Sequence, residues 1–111
     1  MTSDSWKVVL IDDEEDIRDI TTIALEDAGY AVFTAEDGPS GIRKTEEVSP
    51  QIVITDIRMP GMDGIQVLEA IKNLTSDIEV IVATAFGEMA LAIMGEMETD
   101  RFSAGTVRVL P

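Results

Sequence analysis

Apolar residues fall along this chain in two rhythms. From Trp6 to Ile11 they run on without polar alternation, which predicts a strand buried on both faces. Tyr30 to Ala35, Gln51 to Thr55 and Ile78 to Ala83 predict three more strands, and Val107 to Leu110 a fifth, with Pro111 behind it. Between the runs the spacing becomes helical. Ile17, Ile20, Thr21, Ala24, Leu25 and Ala28 recur at helical intervals from Asp13 to Ala28, and Gly29 marks a C-terminal stop. Asp37-Gly38 turns the chain, Pro39 suits a first helical turn, and a second helix reaches about Val48, ahead of Pro50. Asp56 to Gly64 reads as a loop, Ile65 to Asn73 as a short helix, and Glu88 to about Met97 as a fourth helix with Ala90, Leu91, Ile93, Met94 and Met97 on its apolar side.

Strands alternating with helices imply an α/β fold with parallel pairing, right-handed crossovers and helices on both faces of the sheet. No residues remain for a fifth helix. Its absence should leave apolar surface near the first and fifth strands, and such surface needs a cover. A homodimer, a domain swap, an altered C-terminus and a truncated sequence all stay open as the answer. The stretch from Gly95 to Gly105 is irregular, because Gly95 interrupts the fourth helix and Glu96 to Arg101 is strongly polar.

Two of the strands end in acid. Asp12 and Asp13 follow Val8-Val9-Leu10-Ile11, and Asp56 follows Ile52-Val53-Ile54-Thr55. In an open parallel sheet, ligands bind beyond the carboxyl ends of the strands. Adjacent strands ending in this way would gather three carboxylates at one mouth, a costly arrangement without a cation. Asp12 and Asp13 point to opposite sides if both stay extended, so the chain must bend there for both to serve one ion. Taken singly, each has a plainer reading. Asp12 or Asp13 could cap the first helix, Asp56 could be a turn residue, and Thr84 a strand-end hydroxyl. Glu14, Glu15 and Asp16 suit the first turn of a helix through its dipole, Asp63 suits a turn, and Met89, Met94 and Met97 suit packing.

Composition narrows the function. The chain has 111 residues, enough for a single domain over 1–111. Its formal net charge of -14 argues against direct attraction to nucleic acid or to an anionic membrane. With no Cys and no His, disulfides, thiolate chemistry, Cys/His zinc sites and His general bases are absent. No signal-peptide character and no apolar run approaching the ~20 residues of a membrane span point to a cytoplasmic protein.

On these residues the chain resembles the response-regulator receiver domain of two-component signalling. The resemblance is carried by Val9-Leu-Ile-Asp12-Asp13-Glu14, by Val53-Ile-Thr-Asp56-Ile-Arg-Met-Pro-Gly-Met-Asp-Gly64 and by Val80-Ile-Val-Ala-Thr84-Ala, in that order, and covers roughly residues 6–94. It implies a flavodoxin-like doubly wound parallel sheet of order 2-1-3-4-5, a (βα)5 receiver fold here lacking its fifth helix. It implies that Asp56 accepts a phosphoryl group from a sensor histidine kinase or a phosphotransfer protein. Asp12, Asp13, Asp56 and the backbone carbonyl of Arg58 would hold Mg2+, and Thr84 would donate its hydroxyl to the phosphoryl group. The surface around the fourth helix and fifth strand would then switch. Such a domain is a signalling element, not an enzyme.

The departure from the family pattern lies at the end of the chain. Receivers usually carry Lys-Pro after the fifth strand; here the place reads Leu110-Pro111, and no Lys follows Lys72. Arg108 is the candidate substitute cation. The switch aromatic would fall on Val107, with Phe102 out of register. These losses support an alternative, a receiver-like dimerisation or interaction module that phosphate does not switch. A Mg2+-dependent phosphatase is disfavoured, since the second catalytic Asp expected two residues after the nucleophile is Arg58. A flavodoxin is disfavoured as well, since no Ser/Thr/Gly-rich phosphate loop follows the first strand.

Overall fold

The structure, a computed structural model, describes residues 5–84 and 106–109. Its strands are β1 (Lys7–Ile11), β2 (Ala31–Ala35), β3 (Ile52–Asp56), β4 (Glu79–Thr84) and β5 (Thr106–Val109). The helices are α1 (Glu15–Asp27), α2 (Gly38–Val48) and α3 (Gly64–Leu74). All five strands pair in parallel in the order β2-β1-β3-β4-β5, the order expected from the sequence. The fourth helix expected over 88–97, together with Phe102, Leu110 and Pro111, lies outside the described residues.

The β-branched runs supply the centre of the molecule. Val9, Ile11, Val53, Val80 and Val82 are fully buried, and Val67, Leu68 and Ile71 of α3 close over them. α2 and α3 pack together. The right-handed crossover rule puts α1 on the opposite face, because the chain steps outward from β1 to β2 and then back across β1 to β3.

Local signals fix the helix ends. Asp37 caps α2 by accepting a hydrogen bond from the Ser40 amide at 2.8 Å. Asp63 forms a capping box on α3: its carboxylate accepts from the Gln66 amide at 2.9 Å, and Gln66 Oε1 accepts from the Asp63 amide at 2.9 Å. Such a cap contributes about 1 kcal/mol, so Asp63 is the structural residue expected. α1 closes with a Schellman motif, in which the Gly29 amide donates to Glu26 and the Tyr30 amide to Leu25. Gly29 takes φ 102°, a conformation that disfavours any residue with a Cβ.

Two expectations need correction. β1 begins at Lys7, and both Lys7 and Trp6 are exposed, Trp6 at 53%. The run is therefore buried on both faces only from Val8 onward, because its first residues overhang the edge of the core. The helical spacing from Asp13 to Ala28 does produce α1, but the helix starts at Glu15 and none of its residues is buried. Ile20 and Ile23 are each 65% exposed and Ile17 is 40% exposed. Periodicity located the apolar side of α1 without showing whether anything covers it.

Candidate functional site

β1 and β3 are neighbours at the point where successive crossovers leave the sheet in opposite directions. The crevice beyond their carboxyl ends is the ligand position of an open α/β sheet. The register pairs Ile11 with Thr55, so the residues after β1 lie beside Asp56 at the end of β3. The chain bends at Asp13. One carboxylate oxygen from each of Asp12, Asp13 and Asp56 then lies within 4.8 Å of the others. This is the gathering of acids expected from the sequence. Asp12 is buried, Asp56 partly buried and Asp13 exposed, so the group opens to solvent on one side.

Neither Asp12 nor Asp13 caps α1. The N-cap is Glu14, which makes no side-chain capping bond. Asp12 Oδ1 instead accepts from the Glu14 amide at 2.9 Å, closing a turn ahead of the helix. Asp12 Oδ2 has no hydrogen bond among the described residues, which leaves it available to a ligand.

Electrostatics mark the same place. Burial raises the Asp56 carboxyl from 3.8 to about 6, and the neighbouring Asp12 adds to the rise. The Ile57 and Arg58 amides pull it down, and Asp13 raises it a little further. Asp12 is also raised, first by burial and then, against the Glu14 amide, by Asp13. Three carboxylates this close repel by about 1 kcal/mol per pair in water and several-fold more beside protein. A divalent hard cation relieves that repulsion and takes carboxylate oxygens by preference, so the donor set fits Mg2+.

These shifts have a defined consequence for stability. The folded protein holds the Asp56 proton more tightly than the unfolded chain does. The stabilisation is complete below 3.8 and is lost as pH rises through about 6. The full shift corresponds to at most about 3 kcal/mol, and partial exposure of Asp56 reduces this to on the order of 1–2 kcal/mol. In chelator, the urea-unfolding free energy is therefore expected to fall between pH 4.5 and 7.5, with part of the slope removed in Asp56→Asn. An identical slope in that variant would contradict the assignment.

The loop after Asp56 is held at both ends. The Ile57 amide donates to the Ala83 carbonyl at 2.9 Å, and the Gly64 amide donates to the Ile57 carbonyl at 3.0 Å. Met59 is buried and Met62 packs against the core, anchoring the loop from below. Arg58 lies within this loop, two residues beyond Asp56. Thr84 ends β4, one residue past Ala83, the register partner of Asp56. Arg108 pairs with Ala83 on the other side. It therefore lies in the same row as Asp56 but two strands away, about 10 Å at ordinary strand spacing. A cleft of about 430 Å³ between the C-terminal ends of α2 and α3, lined by Thr45, Pro50, Ile71, Leu74 and Ile78, is at the opposite end of the strands and takes no part in this site.

Sequence reasoning missed Arg18. From α1, its Nη1 donates to the Asp12 carbonyl at 2.7 Å. An Arg one helical turn into α1 was the available signal, but the bend at Asp13 had to be seen before its reach was clear.

A parallel β2-β1-β3-β4-β5 sheet with an acidic cluster at the β1/β3 switch point defines a class of α/β domain, and sequence comparison identifies the family. The response regulator receiver domain matches residues 8–100, and the chain belongs to that family of two-component signalling domains. Sporulation initiation phosphotransferase F of Bacillus subtilis is 34% identical over 83 residues, 75% of this chain and 67% of that protein. A probable transcriptional regulator of Guillardia theta is 40% identical over 97 residues, 86% of this chain but 38% of that protein, so the chain spans well under half of that relative. Among solved structures, the response regulator TrrA of Thermotoga maritima in complex with Mg2+-BeF is similar with a TM-score of 0.81 and 27% identity, over 96% of this chain and 86% of that one. The same regulator in complex with the histidine kinase ThkA is similar with a TM-score of 0.80, again at 27% identity, over 96% of this chain and 86% of that one.

Proposed function

We propose that this chain, read as one receiver domain over 1–111, accepts a phosphoryl group on Asp56 from the phosphohistidine of a sensor histidine kinase or phosphotransfer protein. The observation that carries the reading is the convergence of Asp12, Asp13 and Asp56 within 4.8 Å at the switch point of the sheet. Similarity to a regulator solved with Mg2+-BeF and with its histidine kinase adds support.

Asp56 is the group placed to attack. Its carboxylate oxygen forms a bond to phosphorus as the P–N bond of the phosphohistidine breaks, and the departing imidazole keeps the electron pair and takes up a proton. A carboxylate is a weak nucleophile and repels a phosphoryl dianion, so the step needs positive charge. Mg2+, held by Asp12, Asp13, Asp56 and the Arg58 carbonyl, would offset the acids and the incoming phosphoryl oxygens. Asp12, anchored by the Glu14 amide, would offer a carboxylate oxygen to that ion. The raised Asp56 carboxyl is largely ionised at pH 7, which keeps it available as a nucleophile. Thr84, at the end of β4, donates its hydroxyl to the new acyl phosphate. The added charge and acceptor oxygens then bias the surface around the fourth helix and β5, with Arg108 the candidate for the cation missing at Leu110. A full switch needs about 5.5 kcal/mol of differential stabilisation, and without the Lys contact the coupling is weaker than in a receiver that carries it. The domain works in the cytoplasm as a phosphoacceptor, with no nucleic-acid contact and no turnover chemistry of its own.

The test is transfer of label from a phosphorylated histidine kinase. A base-labile acyl phosphate is expected on the wild type, with none on Asp56→Asn and little on Asp12→Ala or Asp13→Ala. Label that persists on Asp56→Asn would displace the assignment. A second reading, an interaction module that phosphate does not switch, draws on the exposed Ile17, Ile20 and Ile23 of α1. Equal partner affinity with and without phosphate in a protein that does accept it would favour that reading.

A further inference from the structure

Arg18 lies outside the set of acids and hydroxyls that the phosphoacceptor reading uses, yet it reaches the first of them. Beyond Ile11 the chain leaves the β1–β3 ladder and has to bend at Asp13 within a residue or two. The Asp12 amide is held by the Ala35 carbonyl at 3.1 Å, and its Oδ1 is held by the Glu14 amide at 2.9 Å. The remaining polar group of the residue, its carbonyl, is taken by Arg18 Nη1 at 2.7 Å. Arg18 is itself fixed from below, since its amide donates to the Glu14 carbonyl at 3.0 Å in the first turn of α1 and its side chain is half-buried. One helix residue therefore ties the start of α1 to the end of β1 across the acidic bend. With three anchors made, the Asp12 carboxylate is held where one of its oxygens lies within 4.8 Å of those of Asp13 and Asp56.

We propose that Arg18 is a positioning residue for the cation site, its guanidinium clamping the Asp12 carbonyl so that Asp12 and Asp13 address one Mg2+ together. The inference deepens the phosphoacceptor reading and rests on it. Two effects of Arg18 on a bound cation have opposite signs, which makes the assignment testable. A positive charge beside the acids repels a second cation, so if charge alone mattered, removing Arg18 would tighten Mg2+ binding. If the clamp matters more, removing Arg18 loosens the bend and weakens binding. Groups that orient metal ligands typically cost about 10–100-fold in metal affinity when lost, and the clamp is a charge-assisted bond to a planar, pre-organised donor.

The experiment is a Mg2+ titration at pH 7.5 followed through the backbone amide shifts of Asp13 and Glu14, on wild type, Arg18→Met, Arg18→Lys and Asp56→Asn, with thermal unfolding of each in chelator. The expected result is weaker binding in Arg18→Met by about tenfold, with cooperative unfolding retained and affinity largely restored in Arg18→Lys, whose ammonium can still reach a carbonyl. Should Arg18→Met not fold, Arg18→Ala, neutral, without a donor and a good helix former, reads the same sign. Unchanged or tighter binding in the neutral variants would overturn the clamp while leaving the phosphoacceptor reading intact. Absence of any Mg2+ effect in the wild type, matched by Asp56→Asn, would overturn both.

Discussion

Asp56→Asn is expected to abolish phosphoryl acceptance and, in the same molecule, to stabilise the metal-free protein at pH 7.5. The two effects share one cause. Asp56 is partly buried beside Asp12 and Asp13, and burial and charge together raise its carboxyl to about 6. At pH 7.5 the wild type must keep that carboxylate ionised against its surroundings. Asparagine has nearly the same shape and no charge, so it removes the repulsion, worth on the order of 1–2 kcal/mol after allowance for solvent. It also removes the carboxylate proposed as the nucleophile. Function here is held at a cost in stability, as is common where a site is charged for its chemistry. Urea denaturation in chelator, on both proteins at pH 7.5 and at pH 4.5, checks the account. The gain should be present at the higher pH and shrink at the lower, where the wild-type carboxyl is largely protonated. Saturating Mg2+ should narrow the gap at pH 7.5, because the ion stabilises the wild type by mass action. A destabilised Asp56→Asn would show that the carboxylate is better satisfied than the geometry indicates.

The second large effect is structural. Gly64→Ala is expected to cost about 3 kcal/mol or more, at the upper end of overpacking substitutions. A Cβ at this position would collide with the Asp56 carbonyl oxygen and stand 2.9 Å from the Ile57 Cα. Both are backbone atoms, so no side-chain rotation relieves the clash. Gly64 is also the first residue of α3, and its amide donates to the Ile57 carbonyl at 3.0 Å. Relief therefore requires moving the start of α3 away from the end of β3, which breaks that bond and shifts the loop carrying Arg58. The Asp63 cap on the same helix should be strained too. Thermal unfolding should show a large drop, and phosphorylation of Asp56 should slow in whatever fraction stays folded. Wild-type stability in Gly64→Ala would mean that the loop is far more compliant than its packing implies.

Much of the fold was legible in the chain, and the reasons are specific. Val8 to Ile11, Ile52 to Thr55 and Val80 to Ala83 are apolar runs too short for helices, so their place in a parallel sheet followed; Val8 to Ile11 is buried throughout, whereas Ile52, Ile54 and Ile81 are only partly covered. Gly29 placed a helix end because few residues suit its φ of 102°, and Asp37-Gly38 placed a helix start because an extended Asp can cap the helix that follows. The acids at the ends of β1 and β3 were readable as a site because parallel pairing alone brings the ends of neighbouring strands together.

What the pattern could not carry was anything set by reach across the bend. The clamp from Arg18 to the Asp12 carbonyl depends on how α1 leaves the sheet, which neither residue encodes alone. Uncovered apolar surface was expected near the first and fifth strands, but its location on Ile17, Ile20 and Ile23 was not, since periodicity shows which side of a helix is apolar and not what lies against it. Capping was misdirected by proximity: Asp12 and Asp13 precede α1 as caps do, but the bend spends Asp12 Oδ1 on Glu14 and leaves the N-cap position to Glu14 itself.

The most direct test of the central claim is the intact mass of the protein after incubation with acetyl phosphate, with and without Mg2+, beside Asp56→Asn. The account predicts the gain of one phosphoryl group in the wild type with Mg2+, and none when either the ion or the Asp56 carboxylate is absent. A folded wild type that gains nothing, or an Asp56→Asn protein that gains as much, would contradict it.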